Sequence, residues 1–239
     1  MSISQLLVAG LATSVDAPDI EDSTSFWRWD FAWEVLPTML SSFFRVTLLV
    51  TVVGTLIAAV LGLIIAIMIR LLPRPLSLLM TWIANFIRMT PIVVQLLILF
   101  YGFVWMEPMT IALIVYGVHY STYMSEVYRA GIDSVPRGQW EASTALSMSP
   151  GRTWRRVVIP QALRSTVPSL GNYAISMFKD TPFLIAISVM EMVTTALEIG
   201  GFTYRYIETI TIAGVIFLVA SYFTAVLVNR LEKKLAYAY

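Results

Sequence analysis

Two short phrases, Arg88-Met89-Thr90-Pro91 and Lys179-Asp180-Thr181-Pro182, each set a cation, a threonine and a proline inside a long apolar run. Ionisable groups there are costly in lipid, so each needs a partner or an aqueous cavity. Arg88 lies about twelve residues past the start of its run, roughly 18 Å along a helix at about 1.5 Å per residue, and Lys179 is placed comparably in its own. Proline lacks a backbone donor and frees the carbonyl one turn back, so both helices are expected to bend or break at one depth. Recognition of a zwitterion is the chemistry on offer. Thr90, Gln95, Thr181 and the carbonyls freed at Pro91 and Pro182 supply hydrogen bonds, and Arg88 or Lys179 faces a carboxylate. Transporters commonly place substrate at such interruptions. The structural alternative has Lys179 neutralised by Asp180 or Glu126, with the prolines serving only as kinks for packing.

The elements that position these residues are membrane helices. Of 239 residues, 58% are hydrophobic and only 13% charged, and the mean hydropathy is +0.76; soluble domains are far more polar. A hydrocarbon core about 30 Å thick takes roughly 20 apolar residues in helix, and five runs qualify: residues 39–71, 76–105, 109–128, 163–198 and 207–228. Alternating ten-residue strands are absent, so a barrel is excluded. The expected fold is an all-α integral membrane bundle of five transmembrane helices. Arg70, Arg74, Arg129, Arg137, Arg152, Arg155, Arg156, Arg164, Arg230, Lys233 and Lys234, eleven of the sixteen basic residues, alternate onto one side. Lys- and Arg-rich loops stay in the cytoplasm, which puts the N-terminus outside and the C-terminus inside. Residues 1–35 read as a polar extracytoplasmic leader, with no basic flank of the kind that opens a cleaved signal. Residues 36–235 form the transmembrane domain, with a cytoplasmic loop at about 132–160.

That loop carries the stretch "EASTALSMSPGRTWRRVVIP", whose prolines, glycine and arginines suit no span. Asp133 or Ser134 can cap a first short helix, with Pro136 in its first turn; Ser149 can cap a second that stops at Pro160. The pair makes an elbow joined near Ser147. Trp140, Ala142, Ala145 and Leu146 recur at helical spacing beside Glu141, so one face can enter a partner's groove while the acid meets a base. The alternative is that this face packs on the ends of the spans.

Several chemistries are excluded or disfavoured. A net charge of +1 offers no excess of cations for nucleic acid. Without cysteine there is no disulfide, thiolate metal site or thiol nucleophile. The sequence holds no Gly-x-Ser-x-Gly, no His-Glu-x-x-His and no phosphate-binding Gly-x-x-x-x-Gly-Lys-Ser/Thr loop. His119, the single histidine, reads as a buried hydrogen-bonded side chain and not a metal ligand. An intramembrane enzyme and an ion-gradient-driven secondary transporter stand as the competing function classes.

The loop resembles the permease subunits of binding-protein-dependent ABC importers, whose pattern is Glu-Ala-Ala, three residues, Gly, nine residues, Ile-x-Leu-Pro. Here it reads Glu141-Ala142-Ser143, three residues, Ser147, nine residues, Val157-Val158-Ile159-Pro160. Ser147 in place of Gly weighs against a left-handed backbone at that hinge. "RMTPIVVQLLILFYG" is similar to a segment of the polar amino acid permeases (the histidine, glutamine, arginine and opine importers), and "HYSTYMSEVYRAG", "GNYAISMFKDTP" and "YRYIETITIAGVIFL" resemble the ectoine and hydroxyectoine permeases among them. The resemblance implies a type I ABC importer (MetI-like) fold in a bacterial inner membrane, and an elbow that is the coupling helix, with Gln139, Trp140, Glu141, Ala142, Ser143, Ala145, Leu146, Ser147 and Pro160 at the ATPase contact. It also implies a separate ABC ATPase that carries ATP and Mg while this chain binds no cofactor, a second permease subunit, identical or homologous, and an extracytoplasmic solute-binding protein delivering a small zwitterion. Arg88, Thr90, Pro91, Gln95, Glu126, Lys179, Asp180, Thr181 and Pro182 are the candidate substrate pathway.

Overall fold

The computed structural model describes residues 25–236. Helices α1 (Trp29–Ser42) and α2 (Leu48–Leu71) run as one 43-residue helix through a π-helical turn at Phe43–Thr47. Residues 29–35, given to the leader by the sequence reading, are its first two turns, and residues 1–24 lie outside the described residues. Then follow α3 (Arg74–Met89), α4 (Ile92–Gly102), α5 (Pro108–Asp133), α6 (Arg137–Ala145), α7 (Pro150–Thr153), a second π-helical turn (Trp154–Val158), α8 (Ile159–Asp180), a 3-10 segment (Thr181–Ile187), α9 (Met192–Thr203) and α10 (Tyr206–Ala236).

Among the described residues, two helices are long and apolar enough to cross a membrane, Trp29–Leu71 and Tyr206–Lys234, or four if each of two bent pairs is one span. The bent pairs are α3 with α4 and Pro150–Ile187 with α9. The remaining expected run, residues 109–128, falls in α5. With 26 residues it has the length of a span at about 1.5 Å per residue, and Tyr, His, Ser and Thr side chains make it more polar than Trp29–Leu71 and Tyr206–Lys234.

Polar α5 sits at the centre of the bundle, and α2 is built to meet it. Gly54, Ala58, Gly62 and Ala66, every fourth residue of α2, are buried. A Cβ on Gly62 would stand 2.9 Å from both Met124 Cβ and the Ser121 carbonyl oxygen, so only glycine admits this backbone approach. Between helices in lipid, such close contact supplies the attraction that hydrophobic burial supplies in water. A second core gathers Phe31, Val35, Met39 and Phe43 with Phe178, Met192, Ala196, Ile199 and Ala213. At the end of the bundle where α10 begins, the buried Glu208 carboxylate accepts from the Arg205 guanidinium and from the Arg28 backbone N–H at 3.0 Å. Residues 25–28 are thereby held against the start of α10.

Two punctuation readings are corrected. Pro160 does not stop a helix: the chain is helical from Pro150 through Asp180. In the turn just upstream the Ile159 N–H reaches back five residues to Trp154 O, and this widening absorbs the donor and the space that the proline ring removes. Nor does Asp133 or Ser134 cap α6. Asp133 is the last residue of α5, and the Ser134 hydroxyl donates back to Gly131 O at 2.7 Å.

Candidate functional site

Both Pro-containing phrases end an α-helix, the first in a sharp break and the second in a change to 3-10 geometry. At the first, Pro91 forces Thr90 into an extended conformation (φ −85, ψ 131), and α3 and α4 meet at 97°. The carbonyls freed there find donors: Gln95 Nε2 donates to Ile87 O at 2.8 Å and to Thr90 O at 3.1 Å, and the Tyr123 hydroxyl donates to Arg88 O at 3.2 Å. Thr90 Oγ1 donates to Phe86 O at 2.7 Å. At the second, α8 passes at Asp180 into the 3-10 segment with Thr181 still in a right-handed helical conformation (φ −55, ψ −28), and the 50° bend comes after Ile187, at residues 188–191, where Ser188 is left-handed (φ 57). The Tyr116 hydroxyl donates to Asp180 O at 2.5 Å and the Tyr120 hydroxyl to Asp180 Oδ2 at 2.6 Å. Thr181 is fully buried, its hydroxyl donating to Phe178 O at 2.8 Å.

One helix therefore holds both interruptions. Tyr116 and Tyr120 of α5 serve the second, and Tyr123 serves the first together with His119, whose Nδ1 lies 3.1 Å from Gln95 Nε2. These two levels on α5 are about three residues, roughly 4.5 Å, apart along the axis, so the breaks lie at nearly one depth. His119 is buried, as expected, and no cluster of three metal-ligating side chains exists among the described residues.

The two cations differ. Arg88 donates to Asn85 Oδ1 at 2.5 Å, lies 3.7 Å from Glu126 Oε1 and stands over the Tyr123 ring at 5.7 Å. Glu126 also pairs with Arg129 at 3.2 Å. The acids that the structural alternative assigned to Lys179 are thus engaged elsewhere, Glu126 by two arginines and Asp180 by Tyr120. Lys179 itself is exposed, with no ion pair or hydrogen bond among the described residues. Asn172 and Ser176 are exposed at seven and three residues before it, on the same face of α8 by helical spacing.

In the elbow, α6 turns two faces different ways. Glu141, Ala142, Ala145 and Leu146 are exposed, Leu146 by 76%. Trp140, read above as part of that outer face, is half-buried and meets Trp154 edge-on at 5.4 Å; Ser143 is buried, donating to Gln139 O at 2.8 Å. Gln139 is exposed, and Pro160 is exposed in the first turn of α8. Ser147 adopts φ 51, the left-handed region that the residue type weighed against. Its N–H donates to Thr144 O at 2.9 Å and the Met148 N–H to Ser143 O at 3.0 Å. This is the paired-bond helix terminus usually closed by glycine; the two bonds offset the Cβ strain.

Residues 58–237 match the family described as binding-protein-dependent transport system inner membrane component. The chain belongs to that family. The permease is 35% identical over 217 residues, 87% of its length and 93% of the relative's, to the L-cystine transport system permease protein TcyB of Bacillus subtilis (strain 168). It superposes on the crystal structure of an amino acid ABC transporter with histidines with a TM-score of 0.82 at 29% identity, covering 88% of this chain and 100% of that one. The inward-facing MetNI methionine ABC transporter shares the fold, with a TM-score of 0.68 at 19% identity over 82% of this chain and 97% of that one. The permease is an inner-membrane subunit of a binding-protein-dependent ABC transport system with the type I (MetI-like) fold, and is not itself an enzyme.

Sequence reading of the permease missed the hydroxyl stripe. Tyr116, Tyr120 and Tyr123 recur with His119 and the already named Glu126 at i, i+3, i+4, i+7 and i+10, one face of a helix. That periodicity was the available signal.

Proposed function

We propose that the permease forms half of a translocation path for a small zwitterion, ectoine or hydroxyectoine being the favoured solutes, with Lys179 facing the solute carboxylate. Lys179 carries the proposal. An exposed cation at a mid-span interruption is expensive against lipid, so its face of α8, with Asn172 and Ser176, belongs to an aqueous cavity completed by a second permease subunit, identical or homologous. Arg88, already held by Asn85 and Glu126, orders the first break, where half-buried Thr90 and Gln95 lie. In this reading the chain crosses the membrane five times, N-terminus outside and C-terminus inside. An external binding protein delivers the solute. A separate ATPase carrying ATP and Mg docks on the Glu141, Ala142, Ala145 and Leu146 face of α6, and its closure moves the elbow and tilts the spans.

Uptake of labelled ectoine into vesicles holding the whole complex tests this, with histidine, glutamine and arginine as competitors. Uptake that needs ATP and is not displaced by the three amino acids supports it; displacement by one of them reassigns the solute. Transport that follows a proton or sodium gradient without nucleotide would instead favour a secondary transporter. Glu141→Lys, which reverses the charge at the docking face, is expected to let ATP hydrolysis proceed without uptake while membrane insertion is unchanged; unaltered uptake would remove the coupling role.

A further inference from the structure

Three helix ends meet at one guanidinium beside the elbow. Arg70, in the last turn of α2, donates from Nη1 to Asp133 Oδ1 at 3.0 Å, at the end of α5. The same side chain lies over the Trp154 ring, 5.4 Å from its centroid, at the root of α8. Trp154 in turn meets Trp140 of α6 edge-on, at 5.4 Å and 82° between planes. Beneath the tryptophans, Val135, Val158 and Ala162 form a small buried cluster. A planar guanidinium can lie on an indole face while its in-plane N–H groups remain free for a carboxylate, a combination that an ammonium does not offer.

We propose that Arg70 is a positioning residue that ties the elbow to the α2–α5 pair, so that displacement of α6 is carried through Trp140 and Trp154 into the helices that hold the two breaks. The inference rests on the reading of α6 as the ATPase-docking helix. α6 is only nine residues long, its outer face is exposed, and its inward contact through Trp140 reaches the Arg70 junction in two steps. Glycine-mediated packing of α2 on α5 leaves little slack between that junction and Tyr116, Tyr120 and Tyr123.

The test measures labelled ectoine taken up per ATP hydrolysed by the whole complex in vesicles, with labelled histidine as the probe if ectoine is not carried. Arg70→Met is expected to lower that ratio about fivefold or more, the low end of site-to-site coupling, with the complex recovered in wild-type amount. Arg70→Lys should fall between, and Trp154→Phe, which keeps a ring under the guanidinium, should retain most of the ratio. A residue that only stabilised the fold would lower uptake and hydrolysis together, so an unchanged ratio in Arg70→Met overturns the proposal. If Arg70→Met does not assemble, Asp133→Asn carries the same readout, a lowered ratio supporting the tie and an unchanged one refuting it. Wild-type uptake without ATP would defeat the docking reading itself, a result distinguishable from any effect at Arg70.

Discussion

The breaks at Thr90-Pro91 and Thr181-Pro182 share a cation, a threonine and a proline in the same order, yet their cations have opposite fates. Arg88 is clasped by Asn85 and Glu126, whereas Lys179 is exposed and unpaired among the described residues. Proline decides where each helix yields; α5 decides what the loose ends do. To the first break α5 gives one hydroxyl for a carbonyl, and a carboxylate for the cation. To the second it gives two hydroxyls, both spent on Asp180. Tyr120 holds one carboxylate oxygen of Asp180 away from Lys179, and in the proposed reading the ammonium is left for the solute.

The largest expected effect separates the two cations. Lys179→Met should lower ATP-driven uptake by roughly tenfold or more, the worth of one charge-assisted hydrogen bond, with the detergent-extracted permease melting as the wild type does. Arg88→Met should do the reverse in kind, lowering the melting midpoint and the recovered complex more than uptake per assembled complex. If Arg88→Met impairs uptake as severely as Lys179→Met at an unchanged melting midpoint, the two breaks are functionally equivalent and the contrast fails.

A second pair of variants sharpens it. Tyr120→Phe removes a donor from a carboxylate, at a cost of about 1.5–3 kcal/mol, and frees Asp180 to pair with Lys179. Uptake should therefore fall even though Lys179 is retained. Tyr123→Phe removes the longer bond to a neutral carbonyl, at a cost of about 0.5–1.5 kcal/mol, with little change in uptake. Thermal unfolding and uptake measured on the same preparations check both, and equal uptake losses would mean that Asp180 does not control Lys179.

Much of the architecture was legible because lipid leaves few options. Long apolar runs had to be helices, and the prolines at 91 and 182 had to interrupt them. What escaped detection depended on neighbours distant in sequence. Hydropathy located the run that became α5 but not which of its Tyr and His side chains meet the two breaks, and nothing local to Thr181 says that its hydroxyl is buried on Phe178 O. Trp140 illustrates the same limit. Its spacing places it with Ala142, Ala145 and Leu146, but which edge of a nine-residue helix turns inward is set by Trp154, fourteen positions away. Pro160 misled for a different reason, since a π-helical turn let the helix continue where propensity predicts a stop.

The smallest expected effect concerns an interruption that no residue type dictates. At Thr90 the following proline imposes an extended backbone, but at Ser147 a left-handed φ of 51 is imposed by the bonds from the Ser147 and Met148 N–H groups to Thr144 O and Ser143 O. A side chain in that region costs about 1–2 kcal/mol, and the bonds hold it there. Ser147→Gly removes this strain, while the wider freedom of glycine in the unfolded chain takes back part of the gain. A net stabilisation of about 0.5–1 kcal/mol follows, seen as a slight rise in the melting midpoint at unchanged uptake per ATP. A fall in the midpoint would show that the elbow does not rest in the left-handed turn, and that hydrogen bonding alone cannot do at Ser147 what proline does at Thr90.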